Sequence, residues 1–299
     1  MIRPLEDIAK VAAEAILEGA EIAKHYHPKE NRPANFERIK KDNSMACLAE
    51  DEITEVINKA MRKLNVRTLS EEGPEEERTA YRANPDEPIF IFDPIDKTGT
   101  STKGYLAGQD DYAIEGGYFV GKKPLISILY RPPYKPIESE KESRKRSELM
   151  IAIKENGVSL QITYEDGEES KVQLHKLSHE PFELNKGRYL VSKNNRNEEL
   201  NRLVDVIPNS GILTIGGAAN KIATLAKKGA DAWFRLESQG PIHVWDLSGG
   251  LAATELGFVF RDQYGNKPFV DQEAFEYKKG IILCNPVILP QLVDAVNRH

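Results

Sequence analysis

Apolar residues recur at three- and four-residue steps early in the chain: Leu5, Ile8, Val11, Ala12, Ala15, Ile16, Ile22 and Ala23, with Glu and Lys between them. That period lines one face of a helix, which Pro28 and Pro33 end before a polar stretch through Asn43. A second helix is predicted from about Asp51, with Ile53, Val56, Ile57, Ala60, Met61 and Leu64 on one face. A short strand-like run follows at 66–69. Residues 88–92 (PIFIF) are continuously apolar, as befits a strand buried on both faces, and this strand is predicted to stop at Asp93-Pro94. Further strands are predicted at 112–120, 125–130 and 149–153, and the charge run 138–148 reads as a solvated loop or frayed edge. The second half alternates strands at 188–191, 211–215, 230–235 and 280–284 with helices at 218–228, 246–256 and 288–297. Interleaving of this kind gives an α/β or α+β class with layered sheets. Two subdomains are expected, at 1–187 and 188–299.

The 299 residues suffice for a sizeable core, and 41 Lys+Arg against 47 Asp+Glu leave a net charge of −6. An acidic balance argues against a nucleic-acid-coating surface. It leaves room for a small anionic ligand, because a bound divalent metal reverses local charge. Cys47 and Cys284 stand far apart with no paired spacing. That excludes a disulfide framework and a cysteine zinc module, and fits a reducing compartment. No apolar run approaches the roughly 18 residues that span a bilayer, so no membrane partner and a cytoplasmic address are expected.

Candidate chemistry begins at Asp93-Pro94-Ile95-Asp96-Lys97-Thr98, two carboxylates three residues apart where a buried strand ends. Carboxylates converging on one point suit Mg²⁺, which takes hard oxygen ligands. The bare tetrapeptide reads better as a turn in which Asp96 caps a helix starting near Thr98. Glu71-Glu72 follows the strand-like run at 66–69, and Trp245-Asp246 opens a small-residue helix. Taken singly, the first is an acidic loop continuing into Glu75-Glu76-Glu77 and the second an ordinary helix cap. No Ser-His-Asp or Cys-His set, phosphate-binding P-loop or dinucleotide fingerprint is present.

In this order the stretches resemble those of the magnesium-dependent, lithium-sensitive phosphomonoesterases that include inositol monophosphatase, 3′(2′),5′-bisphosphate nucleotidase and fructose-1,6-bisphosphatase. Gly216-Gly217-Ala218-Ala219 and Gly229-Ala230-Asp231-Ala232 add to the likeness, as does Asp51, which matches the aspartate closing the family's Thr-x-x-Asp segment. The resemblance spans roughly the whole chain. It implies an α-β-α-β-α sandwich, two or three Mg²⁺ ions in the cleft between subdomains and, as in many relatives, a homodimer. It assigns Glu71, Asp93, Asp96, Asp246 and the carbonyl of Ile95 to the metal. Asp51, Thr98 and Glu71 become the catalytic set, with Asp51 and Thr98 polarising the attacking water.

Lys97, Thr98, Gly216, Gly217 and Ala218 are expected at the phosphate, and Lys221 and Arg235 as contacts to a second phosphate. The last two residues favour the bisphosphate nucleotidase branch and adenosine 3′,5′-bisphosphate as substrate. Inositol monophosphate or a sugar phosphate is the alternative. Lys97 stands where most relatives carry glycine, and Leu48 replaces the threonine of the Thr-x-x-Asp segment. Gly99 to Thr102 reads as an insertion, which makes Thr102 a rival to Thr98. These departures motivate a reading of another class, a regulatory binding protein without turnover; the retained acidic residues oppose it.

Overall fold

Seven strands between residues 67 and 174 pair side by side in chain order: Arg67–Ser70, Ile89–Asp96, Ala113–Val120, Lys123–Tyr134, Arg146–Ile153, Gly157–Tyr164 and Glu169–Leu174. The first pair is parallel and the remaining pairs antiparallel. A parallel pair needs a crossover, and helix Glu75–Ala83 lies in this one. A second sheet runs in the order Gly211–Ile215, Arg188–Ser192, Ala232–Arg235, Ile281–Cys284, Val259–Arg261. The computed structural model describes residues 3–29, 37–39, 45–98, 105–134, 144–178, 183–193, 196–268, 270–271 and 275–298.

Three apolar layers hold the sheets together. Helices Leu5–His25 and Leu48–Lys63 bury Ile16, Ile53 and Ile57 against Phe90, Phe92 and Ile126 of the larger sheet. Between the sheets, helices Ala218–Ala226 and Leu251–Glu255 set Ile222, Leu225 and Ala252 among Leu129, Met150, Leu190 and Trp233. Outside the second sheet, Glu198–Val206 and Leu289–Asn297 pack Leu200, Leu203 and Leu292 on Tyr189, Phe234 and Ile282. The order is helix, sheet, helix, sheet, helix, the α-β-α-β-α sandwich that the resemblance implies.

Several local readings are corrected. The Ile89–Asp96 strand does not stop at Asp93-Pro94 but continues to Asp96, fully buried. Its pairing shifts register between Asp93 and Asp96, and a bulge is where a sheet tolerates proline. The second helix begins at Leu48, three residues before Asp51, because Cys47 is extended and its N–H is held by Glu50 Oε2 at 2.7 Å. The acidic run at Glu75 is a helix, Glu75–Ala83. The charge run's last residues are not solvated: Arg146 and Glu148 are buried in a strand, where Glu148 pairs with Arg131, Arg146 and Lys227. The 246–256 helix is a 3-10 turn, Trp245–Gly250, followed by Leu251–Glu255. Cys47 and Cys284 are free and buried. Among the described residues no helix is long and apolar enough to cross a membrane.

Candidate metal centre

Glu71 leaves the end of the Arg67–Ser70 strand, where its backbone N–H reaches the Phe92 carbonyl at 3.4 Å. The neighbouring strand thereby sets Glu71 beside Asp93. Asp93 is 2% exposed and fixed by its own backbone, since Oδ1 accepts the Ile95 N–H at 2.9 Å. Asp246 arrives on the Trp245–Gly250 turn with Oδ2 accepting the His243 N–H at 3.1 Å. One carboxylate oxygen from each of Glu71, Asp93 and Asp246 lies within 4.8 Å of the other two.

Burial and mutual repulsion raise the pKa values of Asp93 and Asp246 in this cluster. Burial, then the charges of Glu71, Asp96, Asp246 and Glu115, hold the Asp93 carboxyl well above the ordinary aspartate range. Burial followed by Glu71 and Asp96 pushes Asp246 up to about 7. Like charges out of water favour protons or a cation. Oxygen-only donors with no Cys or His among them match a hard divalent ion such as Mg²⁺.

Asp96 lies beside the three, its charge acting on both Asp93 and Asp246. Its Oδ2 accepts the Ala219 N–H at 2.8 Å, at the start of helix Ala218–Ala226. The turn reading of the sequence had Asp96 capping a helix near Thr98; instead it bonds a helix 123 residues away. Gly217 makes this approach possible, with φ +69° and a would-be Cβ only 2.6 Å from Asp96 Oδ2. The Ile95 carbonyl lies 2.9 Å from the Thr98 hydroxyl.

The partner of Thr98 differs from expectation. Its Oγ1 meets Glu50 Oε1 at 2.5 Å, and Glu50 is fully buried. Asp51, to which the resemblance assigned the position beside Thr98, is half-buried one position further along the helix. Helical phase carried the signal: Glu50 precedes Ile53 by three residues and Ile57 by seven, on the buried face. Thr102 and the insertion at Gly99 lie outside the described residues.

Lys97 keeps the left-handed backbone that glycine would adopt, at φ +74°, which costs a side-chain-bearing residue about 1–2 kcal/mol. Its ammonium pairs with Asp111, and its chain lies where a Cβ on Gly216 would have to go. Burial and the nearby Lys193 lower its pKa to about 8. Lys221 is buried, not a surface charge: Nζ donates to the Gly217 carbonyl at 2.6 Å and lies 5.1 Å from the Trp233 ring centre. Arg235 donates to the Gln239 carbonyl at 2.9 Å and feels the Asp246 charge. Glu115 was missed, although a charged residue inside the apolar run 112–120 is itself a signal. It has no exposure, and burial followed by Asp96 raises its carboxyl well above the usual range.

Comparison with known proteins gives the family and the fold. Human inositol monophosphatase 1 is 26% identical over 192 residues, covering 62% of this chain and 58% of that protein. The chain thus matches somewhat more than half of that relative's length. Among solved structures, the suhB protein of Bartonella henselae covers 98% of this chain and 99% of its own at TM-score 0.68 and 20% identity. Inositol monophosphatase II of Staphylococcus aureus covers 98% and 94% at TM-score 0.70 and 17% identity. At those identities the structures speak for the fold alone. The family model described as the inositol monophosphatase family matches residues 3–299. With nearly the whole chain matched, and the carboxylates gathered at the strand ends, the protein belongs to the inositol monophosphatase family.

Proposed function

We propose that the protein is a Mg²⁺-dependent phosphomonoesterase acting on a small phosphorylated metabolite, with adenosine 3′,5′-bisphosphate the first choice of substrate. The observation that carries this reading is the convergence of Glu71, Asp93 and Asp246 within 4.8 Å. Those residues, with Asp96 and the Ile95 carbonyl beside them, would hold the metal. The chemistry a divalent ion supplies when bound is neutralisation of the ester's charge, activation of water and stabilisation of the leaving oxygen.

The chain's own groups do the rest. The one proton of Thr98 Oγ1 faces two acceptors, Glu50 Oε1 and the Ile95 carbonyl, and directed to either it leaves the oxygen as an acceptor for a water O–H. Glu50→Gln is accordingly expected to lower kcat about a hundredfold, while Asp51→Asn stays within about threefold. Steady-state kinetics check this, and a larger loss in Asp51→Asn than in Glu50→Gln would return the role to Asp51. The start of helix Ala218–Ala226, with Gly216 and Gly217, offers backbone N–H groups to the phosphate. Lys221 braces that segment through the Gly217 carbonyl. A cavity of about 470 Å³ opens beside Gly216, lined also by Asp111, Arg131, Lys193 and Asn220, and has room for the rest of the substrate.

A second reading, inositol monophosphate, has its own support. SaIMPase-II is known in one structure with inositol monophosphate bound and in another with 2′AMP bound. Lithium sensitivity, a homodimer and a cytoplasmic address belong to the same proposal. Phosphate release from adenosine 3′,5′-bisphosphate and inositol 1-phosphate, measured side by side with Mg²⁺ and with chelator, tests it. Nucleotide preference is the expected result. Equal or higher efficiency on the inositol ester overturns the nucleotidase choice, and no metal-dependent release from either turns the reading to a sugar phosphate or to a regulatory binding protein without turnover.

A further inference from the structure

Glu115 is a buried acidic residue beside the metal centre that the proposed chemistry leaves without a part. It stands on the Ala113–Val120 strand directly across from Asp93 in the antiparallel register, with no solvent exposure. Its Oε2 accepts the backbone N–H of Gly249 at 2.8 Å. From the next strand, the Ser127 hydroxyl donates to the carbonyl of the same glycine at 2.7 Å. Gly249 is therefore gripped on both sides of its backbone, by two side chains that water does not reach.

Gly249 lies three residues after Asp246 in the Trp245–Gly250 turn, which is one turn of 3-10 helix. The fit has no slack: a Cβ on Gly249 would sit 2.7 Å from Glu115 Oε2 and overlap Leu129. On the opposite side of the contact, a Cβ on Gly117 would overlap the Ser248 carbonyl. Asp93 and Asp246 come from segments far apart in the chain, and nothing local fixes their separation. Glu115 is joined to both: to Asp93 through the strand register, and to Asp246 through the turn it bonds.

We infer that Glu115 is a positioning residue of the metal centre, setting the distance between Asp93 and Asp246 by docking the Asp246 turn onto the strand beside Asp93. The inference rests on the metal-dependent reading above. Length of side chain is what matters in this role, because the bond to Gly249 needs an acceptor at that reach. Charge does not, because a glutamine oxygen accepts the same N–H.

The test is the Mg²⁺ concentration that half-saturates thermal stabilisation of the full chain, measured for wild type, E115Q and E115D. E115Q keeps reach and loses charge; E115D keeps charge and loses reach. The expected result is an E115Q value within about threefold of wild type and an E115D value raised about tenfold or more, the effect typical of residues that orient metal ligands. Circular dichroism in chelator reports whether each variant is folded. An E115Q value as poor as that of E115D overturns the inference and makes Glu115 a direct ligand or charge partner. Wild-type values in both variants overturn it as well. If wild type itself gains no stability from Mg²⁺, the metal centre fails first, and Glu115 as its positioner with it.

Discussion

Asp93→Asn is expected to reduce Mg²⁺-dependent phosphate release about a hundredfold or more, and at the same time to raise the melting temperature of the metal-free protein. The two effects have one cause. Asp93 is 2% exposed, and its carboxyl is held far up by burial and by Glu71, Asp96, Asp246 and Glu115. Without a cation each of these charges works against the others, so removing one relieves the fold. The asparagine oxygen can still accept the Ile95 N–H that Asp93 Oδ1 accepts now, and the local turn survives. With Mg²⁺ present the balance inverts, since a neutral amide is a poor substitute for a carboxylate ligand. Phosphate release at saturating Mg²⁺ and melting in chelator check both halves. A variant that melts lower than wild type in chelator would mean that the carboxylate is retained for the fold and not for a metal.

The metal-free protein is also expected to lose stability as pH rises between about 4 and 7, where Asp246 moves from its ordinary value of 3.8 to its raised value of about 7. In that window the folded chain binds more protons than the unfolded chain, so stability falls with rising pH. Below the lower value both states are protonated and the penalty is absent. Above about 7 both are ionised and the penalty is complete, at roughly 4 kcal/mol for Asp246 alone. Asp93 and Asp96 are shifted in the same direction and act with it. Mg²⁺ binds the ionised carboxylates, so the stabilisation it gives must grow over the same range. Melting curves from pH 5 to 8, with and without Mg²⁺, make the comparison. A metal-free melting temperature that stays level or rises with pH contradicts it.

Much of the architecture was legible because it is written in local periodicity. The first helix, the apolar strand carrying Asp93 and, after residue 188, the strands at 188–191, 211–215 and 280–284 with the helix from Ala218 follow from spacing alone. Helix Glu198–Val206 and strand Val259–Arg261 were not read. Strand Gly157–Tyr164 was equally legible, with Val158, Leu160 and Ile162 buried in strict alternation, yet it went unread. Arg146 and Glu148 could not be placed in this way. A charge run is normally solvated, and only the arrival of Arg131 and Lys227 from other segments makes its burial tolerable. Lys221, expected at a second phosphate, is a similar case, because its ammonium lies inside against the Gly217 carbonyl and the Trp233 ring.

By itself the sequence determined the stock of oxygen donors and the elements that carry them, because carboxylates at strand ends and apolar periods are properties of neighbouring residues. Tertiary structure alone decided which donors meet. Thr98 meets Glu50 across 48 residues, Asp96 meets the Ala219 N–H across 123, and Glu115 meets Gly249 across 134. Each contact depends on the relative placement of two segments packed by different parts of the core, and no local pattern encodes that placement. Glu50 and Asp51 are chemically near-equivalent and adjacent in sequence; a rotation of about 100° per residue around the helix axis separates the one that faces Thr98 from the one that does not.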